Sequence, residues 1–149
     1  MNILIDLGHP AHFFLFKGAM EFFEQNNHKI YWVVRDKDIL INLMKAHNKK
    51  FNILTKAQKG KIRLFFELIA RDIKLYLYAI NKNINIMIGT SVCITHVSKL
   101  LKCKSIVFNE DDASTARSFT LLAYPLADKI VTPDALVRDD FGKKHIKYN

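Results

Sequence analysis

The chain has 149 residues, half of them hydrophobic, and a formal net charge of +9. This length fits one domain with a sizeable core, and the composition excludes a disordered chain. Thirteen of the 23 Lys and Arg residues lie between positions 43 and 104, against two of the 14 acidic residues. This basic middle segment indicates either an anionic partner, such as a phosphorylated substrate, a membrane or nucleic acid, or simply a solvated lysine-rich face.

The cysteines and the apolar runs bear on the cellular compartment. Cys93 and Cys103 form no CxxC pair and have no metal-ligand spacing, which favours buried thiols in a reducing compartment. Asp6 and His9 interrupt the first apolar run, so no signal peptide is expected. No stretch reaches the ~20 apolar residues of a transmembrane helix. We therefore expect a cytoplasmic protein, at most peripheral to the inner face of the membrane, without a metal or a cofactor.

Strands and helices alternate along the chain. Short apolar or β-branched runs predict strands at 2–6, 29–34, 51–54, 85–88, 104–108 and 129–132, with a further strand beginning at 145–148. Apolar residues at helical spacing predict helices at 12–25, 36–47, 62–81, 91–101 and 115–127, and a short helical segment at 133–141. The pattern predicts an α/β fold over residues 1–149: a doubly wound, mostly parallel, Rossmann-like sheet with strand order 3-2-1-4-5-6.

Ligands of such sheets bind at the carboxyl ends of the strands, where the strand order reverses. In this chain the reversal falls between the first and the fourth strand. The segments 8–12, 89–91 and 109–112 follow the first, fourth and fifth strands. We therefore expect these three segments to line the ligand crevice.

The first turn, within MNILIDLGHPAH, carries Gly8, His9 and His12. It contains no GxGxxG, which disfavours tight NAD or FAD binding, and no GxxxxGK[ST], which excludes P-loop phosphate chemistry. A neutral histidine at a helix N-terminus suits a base or a hydrogen-bonding group for a sugar or phosphate, and we favour His9 over His12. The alternative is that His9 packs in the turn and His12 caps the helix or is exposed. Asp6 is interpreted as an acceptor that fixes the turn rather than as a metal ligand.

The turn Gly89-Thr90-Ser91 ends the fourth strand. Glycine allows close approach, and the two hydroxyls and free backbone N–H groups suit the oxygens of a sugar or phosphate. An ordinary helix N-cap is the alternative interpretation.

The acidic cluster Asn109-Glu110-Asp111-Asp112 follows the fifth strand. One of its carboxylates can serve as a general base or bind a hydroxyl group, and Glu110 is the residue that we expect to face the crevice. The alternative is that the cluster caps the next helix.

The helix at 62–81 has more apolar residues than one core-facing stripe needs, and the basic loop 56–61 precedes it. Residues 56–82 are therefore a candidate surface for an anionic bilayer or a lipid phosphate. A crossover helix buried along most of its length, in this chain or in an interface, is the alternative, and the one that we favour. Nucleic-acid binding is not expected, because no recognition motif accompanies the charge.

Five stretches resemble one known family, the bacterial and archaeal "domain of unknown function 354": MNILIDLGHPAH, ARDIKLYLYAI, HVSKLL with the following KSIVFNEDDAS, ADKIVTP and GKKHIKYN. That family is similar to the GT-B superfamily, near UDP-N-acetylglucosamine 2-epimerase and the glycosyltransferase that completes lipid II. Its members have a second Rossmann-like lobe. The resemblance therefore implies that this chain is the N-terminal, acceptor-side lobe of a GT-B fold.

The resemblance also implies roles for the turn residues. Gly8, His9 and His12 match the first turn that faces the cleft of GT-B enzymes. Thr90 stands where the epimerase has an acid, which disfavours epimerisation. Glu110 falls near the epimerase motif His-Val-Glu-Ala-Gly, although the flanking residues differ.

Together these points imply half of a glycosyltransferase for cell-surface polysaccharide or glycolipid assembly. His9 or Glu110 would deprotonate a sugar or lipid-linked acceptor, while a second lobe holds the UDP-sugar. The predicted substrate-binding residues are Gly8, His12, Gly89, Thr90, Ser91, Asn109 and Asp111. The alternatives are half of a UDP-sugar 2-epimerase or hydrolase, or a non-catalytic basic module that docks on a membrane or a partner. We expect the lobe alone to be inactive.

Overall fold

The computed structural model describes residues 1–37, 39–136 and 140–149. The strands are β1 (Asn2–Leu7), β2 (Lys29–Asp36), β3 (Phe51–Lys56), β4 (Ile86–Gly89), β5 (Lys104–Phe108), β6 (Lys129–Pro133) and β7 (His145–Tyr148). The helices are α1 (Pro10–Gln25), α2 (Leu40–Ala46), α3 (Lys61–Ala79), α4 (Cys93–Leu101) and α5 (Arg117–Ala123), and a short 3-10 helix spans Gly142–Lys144.

All seven strands lie in one sheet in the order β3-β2-β1-β4-β5-β6-β7, and every pairing is parallel. The predicted order 3-2-1-4-5-6 is confirmed, and β7 extends the sheet beyond β6. The order reverses between β1 and β4, where Asp6 lies opposite Gly89 at the carboxyl ends of the two strands. This is the position at which open α/β sheets bind their ligands.

Alternate residues of the strands supply two separate cores, as expected for side chains with a period of two. On one face, the strand residues Ile5 and Trp32 pack with Phe13 of α1 and Met44 of α2. On the other face lie α3, α4 and α5, whose core residues include Leu75, Ile94, Val97 and Ala123, together with Leu4 and Val33 of the sheet. The three helices on this second face include α3, which forms one wall of the crevice.

Two predicted helices differ from the structure near the C-terminal end. The helical segment predicted at 133–141 is wrong where the structure describes it, because Pro133 ends β6 and residues 134 and 135 form a turn. The backbone N–H of Asp134 donates to the carbonyl of Tyr148 at 2.8 Å, which holds this turn beside β7. Residues 137–139 of that segment lie outside the described residues. Helix α5 is also shorter than the predicted 115–127, because a turn closed on the carbonyl of Asp112 precedes it.

Within this chain, the expectation that α3 is buried along most of its length is also wrong. Its buried residues are Glu67, Arg71, Leu75 and Ala79, so half of the inward positions are charged. The large apolar residues that α3 exposes are Ile62, Leu64, Phe65, Phe66, Ile69, Ile73 and Leu77. The two charged residues face inward because they bond to charged and hydroxyl groups at the ends of β1, β2 and β3. Within the described residues, no helix combines the length and the hydropathy needed to cross a membrane.

Candidate functional site

A cleft of about 370 Å³ opens at the carboxyl ends of β1 and β4. It is lined by Gly8, His9, His12, Arg35, Lys37, Leu64, Glu67, Leu68, Arg71, Thr90, Ser91, Val92 and Cys93. The first turn and the turn after β4 therefore meet in one cleft, and α3 forms its far wall.

A smaller hollow of about 230 Å³ adjoins this cleft on the β5 side. Its lining includes Asn109, Glu110 and Asp111, and we call it the acidic hollow. His12 and Thr90 line both spaces, so they stand between the cleft and the acidic hollow. Eight of the nine predicted site residues line one or both spaces, and the ninth, Gly89, is buried immediately before Thr90.

His9 is the N-cap residue of α1. Its backbone is extended, with φ −151° and ψ 150°, and its Nδ1 atom accepts a hydrogen bond from the backbone N–H of Ala11 at 3.3 Å. Pro10 occupies the start of the helix, where its missing N–H costs nothing. The cap is thus His9 and not His12, and the His9 ring is exposed on the rim of the cleft.

His12 lies one helical turn further in and is held by Thr90. The Thr90 Oγ1 and His12 Nδ1 atoms are 2.7 Å apart. Burial, followed by the neighbouring His9 ring, lowers the pKa of His12 to about 4. The imidazole is therefore neutral at pH 7, so that one nitrogen donates a hydrogen bond and the other accepts one.

The turn after β4 does not cap α4, which corrects the N-cap interpretation. Helix α4 begins at Cys93 after Val92, and the part of the chain that the structure describes contains no side-chain cap for it. The Ser91 hydroxyl donates instead to the Asp6 carboxylate, and Thr90 contacts His12. Gly89 is required for the approach of β4 to β1, because an added Cβ would overlap the Asp6 carbonyl oxygen and lie 3.2 Å from the Asp6 Cβ.

The floor of the cleft contains a buried ion pair that the sequence analysis missed. Arg71 Nη2 donates to the carboxylate of Asp6, and both side chains are at least nine-tenths buried. Arg71 Nη1 also donates to the Thr55 hydroxyl at 3.1 Å, whereas Arg71 Nε is buried without a partner among the described residues. Burial opposes the charged form of Arg71, but the Asp6 carboxylate outweighs it, and the pKa of Arg71 is raised.

A second ion pair continues this network along α3. The Nε and Nη2 atoms of Arg35 donate to the two Glu67 oxygens, each at 2.6 Å. Glu67 also accepts hydrogen bonds from the Thr55 hydroxyl at 3.1 Å and from the backbone N–H of Gln58 at 2.9 Å. Burial opposes the charged form of Glu67, but these hydrogen bonds outweigh it and lower the pKa of Glu67. The sequence signal for both pairs was the i, i+4 spacing of Glu67 and Arg71 on the polar side of an otherwise apolar helix.

The acidic cluster is organised by Asn109, which is buried. Its side-chain amide donates to the Asp111 carbonyl at 2.8 Å and to the Tyr124 hydroxyl at 2.9 Å, and its oxygen accepts from the Asp111 N–H at 3.2 Å. Glu110 and Asp111 are exposed. The cluster does not cap α5, which begins at Arg117 with no side-chain cap from the residues that the structure describes. Burial, and then the negative charge of Glu110, raises the pKa of Tyr148 at the end of β7.

The fold and the cleft together define a class: a Rossmann-like lobe with its crevice at the topological switch point. No family model and no curated protein matches the sequence. Solved structures do match along nearly the whole chain. The UDP-GlcNAc 2-epimerase of Methanocaldococcus jannaschii has a TM-score of 0.74 at 13% identity, covering 99% of this chain and 45% of that one.

Two further structures extend the comparison. MurG of Acinetobacter baumannii has a TM-score of 0.75 at 9% identity and covers 100% of this chain and 45% of its own. The UDP-GlcNAc 2-epimerase of Neisseria meningitidis, bound to UDP-GlcNAc, has a TM-score of 0.73 at 10% identity, with coverages of 99% and 46%. This chain therefore spans less than half the length of these three proteins. The likeness confirms the predicted fold, a Rossmann-like lobe of the GT-B type.

Proposed function

We propose that this chain forms the acceptor-side wall of the cleft in a two-lobed GT-B enzyme that acts on a nucleotide sugar, and that it belongs with the domain of unknown function 354 family. The observation that carries the proposal is that the first turn, the turn after β4 and the acidic turn after β5 adjoin through His12 and Thr90. One matching protein of the same fold is described as bound to UDP-GlcNAc, which supports a nucleotide sugar as the donor.

The reaction is glycosyl transfer to a sugar or lipid-linked acceptor, in the assembly of a cell-surface polysaccharide or glycolipid on the cytoplasmic side of the membrane. The acceptor oxygen bonds to the anomeric carbon of the donor sugar as the bond from that carbon to UDP breaks. UDP leaves with the electron pair, and the acceptor proton goes to the Glu110 carboxylate or to His9 Nδ1, which releases its hydrogen bond from the Ala11 N–H as it takes the proton. These two residues lie on either side of His12 and Thr90, whose uncharged polar groups suit sugar hydroxyls.

The test is UDP release from UDP-GlcNAc by a protein that carries this lobe together with its donor-binding lobe. His9→Asn keeps a residue that can cap α1 but removes the imidazole, and Glu110→Gln removes the carboxylate. One of the two is expected to lower kcat by about 10²-fold or more, the usual contribution of a general base. The control is Asp112→Asn, an exposed change in the same turn, which should leave kcat unchanged. Unaltered turnover in both His9→Asn and Glu110→Gln would contradict the assignment of the base.

A UDP-sugar 2-epimerase or hydrolase is the second candidate, because two of the three structures described above are 2-epimerases. Thr90, which the family resemblance places at the position of the epimerase acid, is uncharged and bonded to His12. Exchange of the sugar C2 hydrogen with solvent deuterium, together with UDP release in the absence of an acceptor, would select this candidate over glycosyl transfer.

A non-catalytic role as a membrane-docking module, through residues 56–82, is the third candidate. The outer face of α3 consists of Ile62, Phe65, Phe66, Ile69, Ile73 and Leu77, which are between 42% and 75% exposed. Apart from Phe65, which adjoins Phe66, these residues recur every three or four positions, on the side opposite the buried Glu67, Arg71 and Leu75. Monomeric proteins rarely expose so continuous an apolar surface.

The charges around the outer face of α3 indicate an anionic bilayer as its partner. Lys61, Arg63 and Lys74 lie on the same helix and are exposed. The only acidic residues of α3 are Glu67 and Asp72. Glu67 is buried and paired with Arg35, and the Asp72 Oδ2 atom lies 2.7 Å from His96 Nδ1. Basic residues beside an apolar helix face are attracted to anionic headgroups, whereas in a dimer of this face they would repel one another.

A further inference from the structure

The cleft does not end at Arg35 and Lys37 but continues along the edge of the sheet. A hollow of about 550 Å³ shares these two residues and Leu64 with the cleft and extends past the carboxyl ends of β2 and β3. Its remaining lining comes from Asp36 and the segment 56–59. We call this hollow the basic groove.

Positive charge dominates the basic groove. Among the described residues, Arg35, Lys37, Lys56 and Lys59 line it together with one carboxylate, that of Asp36, and Arg35 is paired with Glu67. Over residues 1–37, 39–136 and 140–149, the side chains of Lys56 and Lys59 have no hydrogen-bond or ion-pair partner, and both residues are exposed. The charges of Lys56 and Lys59, held in a concave space without a partner among the described residues, favour an anionic ligand.

The walls of the groove are held in place by Glu67. This carboxylate binds two nitrogens of Arg35 and the backbone N–H of Gln58, so it fixes the arginine and the following loop together. The N–H of Ala57 also donates to the carbonyl of Asp36 at 3.0 Å, which ties the loop to the end of β2. Arg35 still has its Nη1 group, for which the described residues supply no partner.

We propose that the basic groove binds the phosphate or pyrophosphate group of an acceptor whose sugar lies in the cleft, an inference that rests on the proposed function. The cleft and the basic groove suit chemically different parts of such an acceptor. The neutral His12 and the hydroxyls of Thr90 and Ser91 suit sugar hydroxyls, whereas the cations of the groove suit a multiply charged anion. A phosphate presents several oxygens in different directions, which matches one guanidinium and separate lysine ammonium groups better than a single carboxylate does.

The test uses the 149-residue chain and inorganic pyrophosphate, with amide NMR spectra as the measurement. Pyrophosphate is expected to shift the amide signals of residues 35–37 and 56–60. The double variant Lys56→Gln/Lys59→Gln should weaken this binding at least tenfold. The matched control is Lys45→Gln/Lys50→Gln, two exposed lysines outside the groove lining, and it should bind as the parent chain does. Equal weakening in both double variants, or shifts away from the groove, would overturn the proposal.

Two further titrations identify the source of the phosphate and separate this inference from the proposed function. N-Acetylglucosamine 1-phosphate should shift the amide signals of the groove and of the cleft together. If it shifts the cleft signals but not the groove signals, the inference is overturned. Binding of phosphatidylglycerol vesicles at residues 35–37 and 56–60, without any response to the sugar phosphate, would assign the groove to a headgroup and contradict an acceptor phosphate. Uncharged N-acetylglucosamine tests the cleft alone: if it fails to shift His12 and Thr90 while pyrophosphate still binds the groove, the proposed function fails and the anion site stands.

Discussion

At the scale of single residues, the floor of the cleft depends on a buried pair of opposite charges. The Asp6 side chain is buried in the core of the sheet. Among the described residues, only Arg71 and the Ser91 hydroxyl donate hydrogen bonds to its carboxylate. Such a pair adds little stability compared with an apolar pair of the same size, but breaking it leaves an uncompensated buried charge. The pair therefore serves to fix Asp6, Ser91 and α3 relative to one another.

Removing one partner should reveal this dependence. Arg71→Met keeps much of the side-chain volume but strands the Asp6 carboxylate, so the free energy of unfolding should fall by about 3–5 kcal/mol. Urea denaturation followed by circular dichroism measures this change. The double variant Asp6→Asn/Arg71→Met should recover part of the loss, because no charge is then buried. Arg63→Met, on the exposed side of the same helix, serves as the control and should change the free energy of unfolding by less than about 0.5 kcal/mol.

At the scale of elements, two glycines of the chain differ in whether the surrounding structure has room for a Cβ atom. Gly89 at the end of β4 has no room for a Cβ beside Asp6, and the obstacle is backbone rather than a flexible side chain. Gly18, in the middle of α1, has no atom within 4 Å of the position that a Cβ would take. The same substitution should therefore have opposite effects at the two positions.

Gly89→Ala is expected to push β4 away from β1 and to lower the free energy of unfolding by roughly 1–3 kcal/mol. Gly18→Ala should raise it by roughly 0.5–1 kcal/mol, because alanine loses less backbone entropy than glycine on entering a helix. Thermal unfolding of the two variants beside the parent chain measures both changes. A Gly89→Ala variant as stable as the parent would show that β4 and β1 have more freedom to separate than the close approach at Asp6 indicates.

Sequence patterns predict the order of the strands but not which side of α3 faces the sheet. Alternating strand and helix periods predict the sheet order correctly, because parallel crossovers leave few topologies. They place Gly8, Thr90 and Glu110 at one edge for the same reason. The orientation of α3 was not predictable in this way, because its apolar residues occupy most of its circumference and either side is able to face the sheet. The inward side is decided by long-range partners of Arg71, which lie 16 and 65 positions away in the chain.

At the scale of the whole molecule, α3 connects two surfaces of different chemistry. Its inner side contributes Leu64, Glu67 and Arg71 to the cleft, and its outer face is apolar and exposed. The basic groove begins beside its first turn. A helix with side chains is only about 10–12 Å across, so a bilayer on the outer face would lie within that distance of the cleft wall. A lipid-linked acceptor fits this placement, because its lipid would remain in the bilayer while its sugar enters the cleft.

Membrane binding by the outer face of α3 is testable on this chain with vesicles. Sedimentation with vesicles containing phosphatidylglycerol should pellet the protein, and vesicles of phosphatidylcholine alone should pellet much less of it. Raising the salt concentration should weaken the binding, because the basic flank acts through screened charges. Phe66→Ser/Ile73→Ser removes two exposed apolar side chains of this face and should reduce the bound fraction several-fold at a fixed lipid concentration.

The matched control is Phe14→Ser/Phe22→Ser on α1, which removes two equally exposed apolar side chains from a helix on the opposite face of the sheet. If the bilayer contacts α3, this variant should bind vesicles as the parent chain does, because α1 then faces away from the lipid. Equal losses in the two double variants would indicate general hydrophobic adsorption and contradict a specific docking face. A dimer that dissociates in Phe66→Ser/Ile73→Ser, with no vesicle binding by the parent chain, would assign the outer face of α3 to a second copy of the protein instead.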